Sequence, residues 1–216
     1  MKLPIQDRTA AGRALAGLLV DRYRDQDVIV LALPRGGVPV AAEIAAALDA
    51  PLDVLNIRKL GVPFQPELAM GAIASGGIRV LNSEVIRRAG VDHDMLEEVI
   101  SMETRELERR ERAYRGDRAR PVLMHRCVIL VDDGAATGAT MRAAIEAARQ
   151  LGPDRVVLAL AVAPPEVVEQ LEEDADELVC LATPEPFFAI GPWYRDFRQL
   201  SDEEVRALLR RETVES

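Results

Sequence analysis

Cysteine, histidine and aromatic side chains are scarce in this 216-residue chain: two, two and 4 %. Two cysteines cannot build a disulfide framework. Cys127 and Cys180 each lie inside an apolar run, the setting of a buried reduced thiol, which points to a cytoplasmic protein. His93 and His125 stand apart from one another and support neither a catalytic nor a metal site. Long hydrophobic runs are missing as well. The longest, residues 156–163, is far too short to cross a bilayer, and residues 1–7 lack the apolar stretch of a signal peptide, so no membrane association is expected. Positive charge is in deficit, with 27 basic against 36 acidic residues. The resulting net charge of −9 argues against nucleic acid as a partner. A polyanionic ligand would have to be held by backbone amides, a metal ion and a few placed cations. What remains is 49 % apolar residues and no low-complexity linker, which predicts one domain over residues 1–216 with a sizeable core.

Apolar β-rich runs alternate with helical patterns. Residues 28–33, 52–57, 127–131, 156–162 and 178–181 read as strands, and their nearly continuous apolarity suits parallel strands covered on both faces. Helices are expected at 37–48, 138–151 and 165–173. In the second, Met141, Ala144, Ile145, Ala148 and Leu151 share one stripe, and Gly152-Pro153 stops it. The fold class is therefore α/β, with a mainly parallel central sheet flanked by helices and a core over residues 28–182.

Two segments break the rhythm. Residues 92–120 form a long charged helix, expected to be solvated along all but one apolar seam; a homodimer contact is the other reading. Residues 58–77 carry Gly61, Pro63 and Pro66, then a short apolar patch. They read as a long loop feeding a small hairpin turned at Ser75-Gly76-Gly77. Loops this long in a compact domain are usually functional or disordered.

The chemistry concentrates at residues 131–140, Val-Asp-Asp-Gly-Ala-Ala-Thr-Gly-Ala-Thr. Ligands of an open parallel sheet bind at the carboxyl ends of its strands, where Asp132 and Asp133 emerge. The small residues that follow leave backbone N–H groups uncovered, and the next helix adds its own unsatisfied donors and the positive end of its dipole. Thr137 and Thr140 supply hydroxyls at the same place. The adjacent carboxylates suit the hydroxyls of a ribose, directly or through Mg²⁺ and its waters. A P-loop would need Gly-Lys-Ser/Thr, and a dinucleotide fingerprint Gly-x-Gly-x-x-Gly; neither is present here. A phospho-acceptor receiver does not continue into Thr-Gly-x-Thr. A helix start with acidic caps accounts for single residues but not the whole run.

Residues 128–140 resemble the signature of the type I phosphoribosyltransferases: apolar residues, two acids and a loop ending Thr-Gly-x-Thr. The resemblance implies a Rossmann-like fold, 5-phosphoribosyl-1-pyrophosphate (PRPP) as donor and Mg²⁺ as cofactor. It assigns Asp132 and Asp133 to the donor's ribose and metal, and Ala136, Thr137, Gly138, Ala139 and Thr140 to its 5′-phosphate. Hypoxanthine-type members carry aspartate directly before Thr-Gly; this chain has Ala136, as adenine-type enzymes do, which weakens a hypoxanthine or guanine assignment.

Three further stretches are similar to parts of that family. Arg35, Gly36 and Gly37, at a strand-to-helix turn, resemble its pyrophosphate loop. Arg58 and Lys59, with Glu67, fall where its mobile lid (58–77) assists pyrophosphate departure and stabilises the ribosyl cation. Residues 183–200 resemble its hood, which implies Phe188 and Trp193 beside the base and Asp196 near the metal, although one additional residue separates Gly191 from Asp196. The plain readings of these pieces are a Gly-Gly turn, a solvated lid and a satellite core. The expected activity is transfer of ribose 5-phosphate from PRPP to a nitrogenous base. The alternative is a regulatory protein of the same fold that senses PRPP or a nucleotide without turnover, and a weaker third is a hydrolase or phosphorylase of ribose phosphates.

Overall fold

The computed structural model describes residues 2–116 and 118–211. In chain order its elements are α1 (Arg8–Tyr23), β1 (Val28–Ala32), α2 (Gly37–Leu48), β2 (Leu52–Val54), β3 (Ile57–Val62), β4 (Gln65–Ala74) and β5 (Ile78–Leu81). There follow α3 (Ser83–Arg88), α4 (His93–Arg115), β6 (Cys127–Asp132), α5 (Ala139–Arg149), β7 (Arg155–Val162), α6 (Pro165–Asp174), β8 (Glu177–Ala182) and α7 (Asp202–Arg211).

The five apolar runs make one parallel sheet in the order β2-β1-β6-β7-β8. Strand alternation explains why these runs are apolar throughout. Val28, Val30 and Ala32 of β1 face one core with Ile129 and Val131, packed under α1, α2 and α7. Ile29 and Leu31 face the opposite core with Val128 and Leu130, packed under α5 and α6. Full burial of a side chain such as Leu15, Ile44 or Ile145 contributes about 1.5–3 kcal/mol.

The route of the chain creates the site. From β1 it crosses by α2 to β2; from the adjacent β6 it crosses by α5 to β7, on the other face and in the other direction. Neighbouring strands whose connections diverge leave a crevice at their carboxyl ends, the place where such sheets bind ligands. The loops 33–36 and 133–138 border that crevice.

Residues 57–115 form a second packing unit. The expected run 52–57 is divided: β2 stops at Val54, and Ile57 opens an antiparallel sheet, β3-β4-β5. The hairpin expected at Ser75-Gly76-Gly77 joins β4 to β5, while the segment read as a long loop before it is β3 paired with the ten residues of β4, turned at Pro63-Phe64. Gly61 and Pro66 sit at a register shift in the ladder, which accounts for residues that usually signal loops. Helix α4 ends at Arg115, five residues before the predicted end, where Gly116 takes φ +60°. Its apolar seam, Val99, Ile100 and Leu107, packs with Leu60, Val62, Met70 and Ile73 as a small separate core. Among the described residues no helix is long and apolar enough to cross a membrane.

Candidate functional site

Strand β6 delivers two acids to the crevice, and the next bend parts them. Asp132, its last residue, is half-buried and lines a cavity of about 240 Å³ with residues 133–141 and Ile190. Its Oδ1 accepts the Asp133 N–H at 2.8 Å, and among the described residues no cation lies within ion-pairing distance of it. The Asp133 carboxylate lies against Gly36 of the β1–α2 loop, and the residue is 6 % exposed. Arg8, at the start of α1, donates through Nε to Asp133 Oδ2 at 2.7 Å. Burial, then the neighbouring Asp133 charge, holds Asp132 well above the usual carboxylate range. Burial also raises Asp133, against the opposing pull of the Arg8 guanidinium.

The loop after the acids has the exposure an anion site needs. Ala136, Thr137, Ala139 and Thr140 are open to solvent, while Gly138 is buried in a left-handed conformation at φ +70° and starts α5. A side chain at that φ would be strained, and residues 138–141 line the cavity at the start of α5. Arg142, one turn into α5, donates to the Thr137 carbonyl at 3.1 Å and to Gln170 Oε1 at 3.0 Å, bracing the loop from behind.

The facing loop approaches very closely. A Cβ on Gly36 would lie 2.1 Å from Asp133 Oδ2, and one on Gly37 would lie 2.4 Å from the Val131 carbonyl oxygen. The two glycines, expected to uncover amides for an anion, are thus also required by loop-on-loop contact.

The sequence profile of the phosphoribosyl transferase domain matches residues 3–195. The chain belongs to the phosphoribosyl transferase domain family. It is 52 % identical over 211 residues to provisionally named phosphoribosyl transferases of two Mycobacterium tuberculosis strains, covering 98 % of this chain and 47 % of theirs. The chain therefore spans about half the length of the curated relatives it matches. Among solved structures, TT1426 of Thermus thermophilus is similar with a TM-score of 0.84 at 43 % identity, over 97 % of this chain and 98 % of that one.

Within this phosphoribosyl transferase domain the outlying candidates separate. Arg58 and Lys59 leave opposite faces of β3. Arg58 turns to α4 and pairs with Glu103 at 2.5 Å, whereas Lys59 lines a cavity of about 550 Å³ between the antiparallel sheet and α5, with Ala139 and Thr140 on its far wall. In this structure the two cations thus lie apart, with Arg58 paired to α4. Glu67 stands fully in solvent, 3.5 Å from Lys59, away from Asp132 and its loop cavity. Arg35 also turns away from the crevice, donating to the Leu200 carbonyl at 2.7 Å and pairing with Asp202 at 3.2 Å. Its guanidinium anchors α7.

The hood candidates divide in the same way. Phe188 is 88 % exposed, a ring in reach of a ligand. Trp193 stacks on Phe187 at 6.0 Å and packs against the main core. Asp196 is exposed and accepts the Arg198 N–H at 3.1 Å, on the far side of Arg8 from the loop cavity. Among the described residues no three acidic, histidine or cysteine side chains assemble as a metal cluster. The additional residue before Asp196 accompanies a different local path, in which residues 193–196 pair with residues 5–6.

Three site residues escaped the sequence reading: Arg8, Arg142 and Tyr194. The Tyr194 hydroxyl donates to the Asp133 carbonyl at 2.6 Å, and burial pushes its phenol far above the ordinary value. No local pattern marks Arg8, which meets Asp133 across 125 residues of sequence. Arg142 carried a signal, because it sits one turn beyond Thr137-Gly138 on the predicted helix.

Proposed function

We propose that this domain transfers a 5-phosphoribosyl group from PRPP to a nitrogen nucleophile, releasing pyrophosphate. The observation carrying this reading is the exposed loop 136–140 at the start of α5, directly beyond a cation-free carboxylate, Asp132, in a cavity at the switch point of the sheet. The 5′-phosphate rests on amides 137–140 and the threonine hydroxyls, where the α5 dipole favours an anion. Asp132 accepts hydrogen bonds from the ribose hydroxyls. In the transfer the bond between ribose C1 and the pyrophosphate oxygen breaks, a bond from C1 to nitrogen forms, and the nitrogen's proton leaves to solvent or a nearby base.

The donor set fits Mg²⁺ as a shared ion. Mg²⁺ is commonly held by one or two carboxylates, with the remaining positions filled by substrate oxygens and water. Asp132 is the carboxylate here without a cation, and among the described residues there is no closed cage of three acids. Bound there, the ion would neutralise charge on the departing pyrophosphate. The protein's part is to orient the donor and keep its anionic end on fixed dipoles. Phe188 offers a face for a planar base, and Lys59 a cation for pyrophosphate once β3 and β4 approach. A cytoplasmic setting, where nucleotide precursors are made, fits such a reaction.

The test is calorimetry with PRPP and Mg²⁺, followed by pyrophosphate release across purine, pyrimidine and nicotinate-type acceptors. Micromolar donor binding that disappears in Asp132→Asn, with turnover on at least one acceptor, is the expected result. Donor binding with no turnover on any acceptor would favour a sensor. Absent donor binding in the folded wild type would remove the reading.

A further inference from the structure

We propose that Arg8 is a positioning residue: it sequesters Asp133 as a structural carboxylate, so that Asp132 alone meets the donor. The proposal rests on the reading of the 131–140 loop as the donor site.

Arg8 is held on three sides. Its Nε reaches Asp133 Oδ2 at 2.7 Å, its Nη1 donates to the Arg198 carbonyl at 2.9 Å, and its guanidinium lies 4.0 Å over the Phe197 ring. The two side chains of the ion pair are 11 % and 9 % exposed. Asp133 is fixed on its other sides by Gly36, which leaves no room beside its carboxylate, and by the Tyr194 hydroxyl on its carbonyl. One carboxylate therefore ties together α1, the β1–α2 loop, the phosphate loop and the hood.

Helix energetics does not explain an arginine at this position. A cation in the first turn opposes the helix dipole, and α1 has no acid in its first turn, only Asp7 as cap. The position is explained by Asp133. Without Arg8, a second charge would sit buried beside Asp132 with no compensation, and its carboxylate would be free to leave Gly36.

The test compares wild type, Arg8→Gln, Asp133→Asn and the double variant Arg8→Gln/Asp133→Asn. PRPP affinity is measured by calorimetry with Mg²⁺. The emission of Trp193, the chain's single tryptophan, is read in parallel, because Trp193 adjoins Tyr194 and reports hood packing with or without donor. Breaking a buried pair from one side is costly, whereas neutralising both partners is tolerated far better, so Arg8→Gln should weaken donor binding by on the order of tenfold and shift the emission to the red. The double variant should return donor affinity to within about threefold of wild type and the emission to the wild-type position, while Asp133→Asn alone, whose amide oxygen can still accept from Arg8, should disturb the emission but lose less donor binding than Asp132→Asn. Wild-type behaviour of Arg8→Gln in both readouts overturns the proposal. So does a double variant no better than Arg8→Gln, or a loss of binding in Asp133→Asn as deep as that in Asp132→Asn. A wild type that binds no PRPP removes the donor reading but leaves the emission comparison to decide: recovery in the double variant supports the positioning role, and no recovery overturns it. If Arg8→Gln does not fold, a folded double variant supports compensation and an unfolded one overturns it.

Discussion

Replacing Gly36 by alanine tests the contact between the two loops with a single methyl group. Gly36 has φ −61° and ψ −37°, a conformation alanine adopts freely, so the backbone offers no objection. Through the unfolded chain alone, the substitution would stabilise by about 0.4–1 kcal/mol. The obstacle is the contact of 2.1 Å between the new Cβ and Asp133 Oδ2. An exposed carboxylate would swing aside; this one is held by Arg8 and enclosed, so it or the loop must retreat by about 1 Å. Overpacking of that kind costs about 1–3 kcal/mol, which leaves a net loss near 1–2 kcal/mol. For a domain of this size that is a drop in Tm of about 2–8 °C. Because a displacement of about 1 Å at a site that orients reactants can cost up to about a hundredfold, PRPP affinity or turnover should fall far more than stability does. Differential scanning fluorimetry and calorimetry on the same preparation separate the two. Gly17 is the control: a Cβ there meets nothing within 4 Å, and Gly17→Ala in mid-helix should raise stability by about 0.5–1 kcal/mol with unchanged affinity. A Gly36→Ala protein that melts and binds donor like wild type would refute the contact. One that melts lower but binds normally would refute its link to the site.

Other consequences can be measured on the same protein. Arg58→Ala should cost about 0–1 kcal/mol by chemical denaturation and leave donor affinity unchanged, because its partner is Glu103 and half-exposed pairs contribute little; a large loss of affinity would return Arg58 to the site. Arg142→Ala removes the brace on Thr137 and should weaken ribose 5-phosphate binding by about three- to tenfold in a titration, with the melting temperature nearly unchanged. Burial pushes the thiols of Cys127 and Cys180 up to about 11. Both should resist iodoacetamide at pH 8 until denaturant is added. The sign of the linkage follows: unfolded thiols ionise near 9.0 while folded ones keep their protons, so stability is intact below 9.0 and declines as pH rises toward about 11. Equal alkylation rates in native and unfolded protein would contradict the burial.

The central sheet was legible because strands covered on both faces must be apolar at every position, and β1, β6 and β7 are so along nearly all of their length. The phosphate loop was legible because its chemistry is local. Helix α1 was not, since its buried stripe is built partly from Ala11, Gly12 and Ala16, while Leu18 and Val20 lie outside it and blur the period. Helix α7 had a readable start: Ser201 and Glu204 form a reciprocal capping box, the Ser-x-x-Glu pattern that opens a helix. The hairpin turned at residues 75–77 is present as β4 and β5, but β3 and the start of β4 were mistaken for a loop because Gly61, Pro63 and Pro66 fall at their bulge and turn, where breakers belong. The hood's role in packing could not be read from its own residues, because its partners are residues 5–6 and Arg8, nearly two hundred positions away in sequence.

A shared geometric cause separates the paired residues that sequence groups together. Consecutive side chains of an extended chain leave it in opposite directions. Arg58 and Lys59 look like one cationic pair, yet β3 sends the first to α4 and the second to the cavity against α5. Asp132 and Asp133 look like one acidic pair, yet the end of β6 leaves the first at the loop cavity and packs the second against Gly36 and Arg8. In both cases the more buried member is neutralised by a partner distant in sequence, Glu103 for the arginine and Arg8 for the aspartate. A buried charge without such a partner would be costly, and an exposed one needs none. Burial and a distant partner therefore identify which member serves the fold; of the less buried members, Lys59 keeps only an exposed pairing with Glu67 and Asp132 has no cation beside it. By that criterion Asp132 carries the chemistry of its pair, and substitutions at Asp132 should damage binding more than stability, with the order reversed at Asp133.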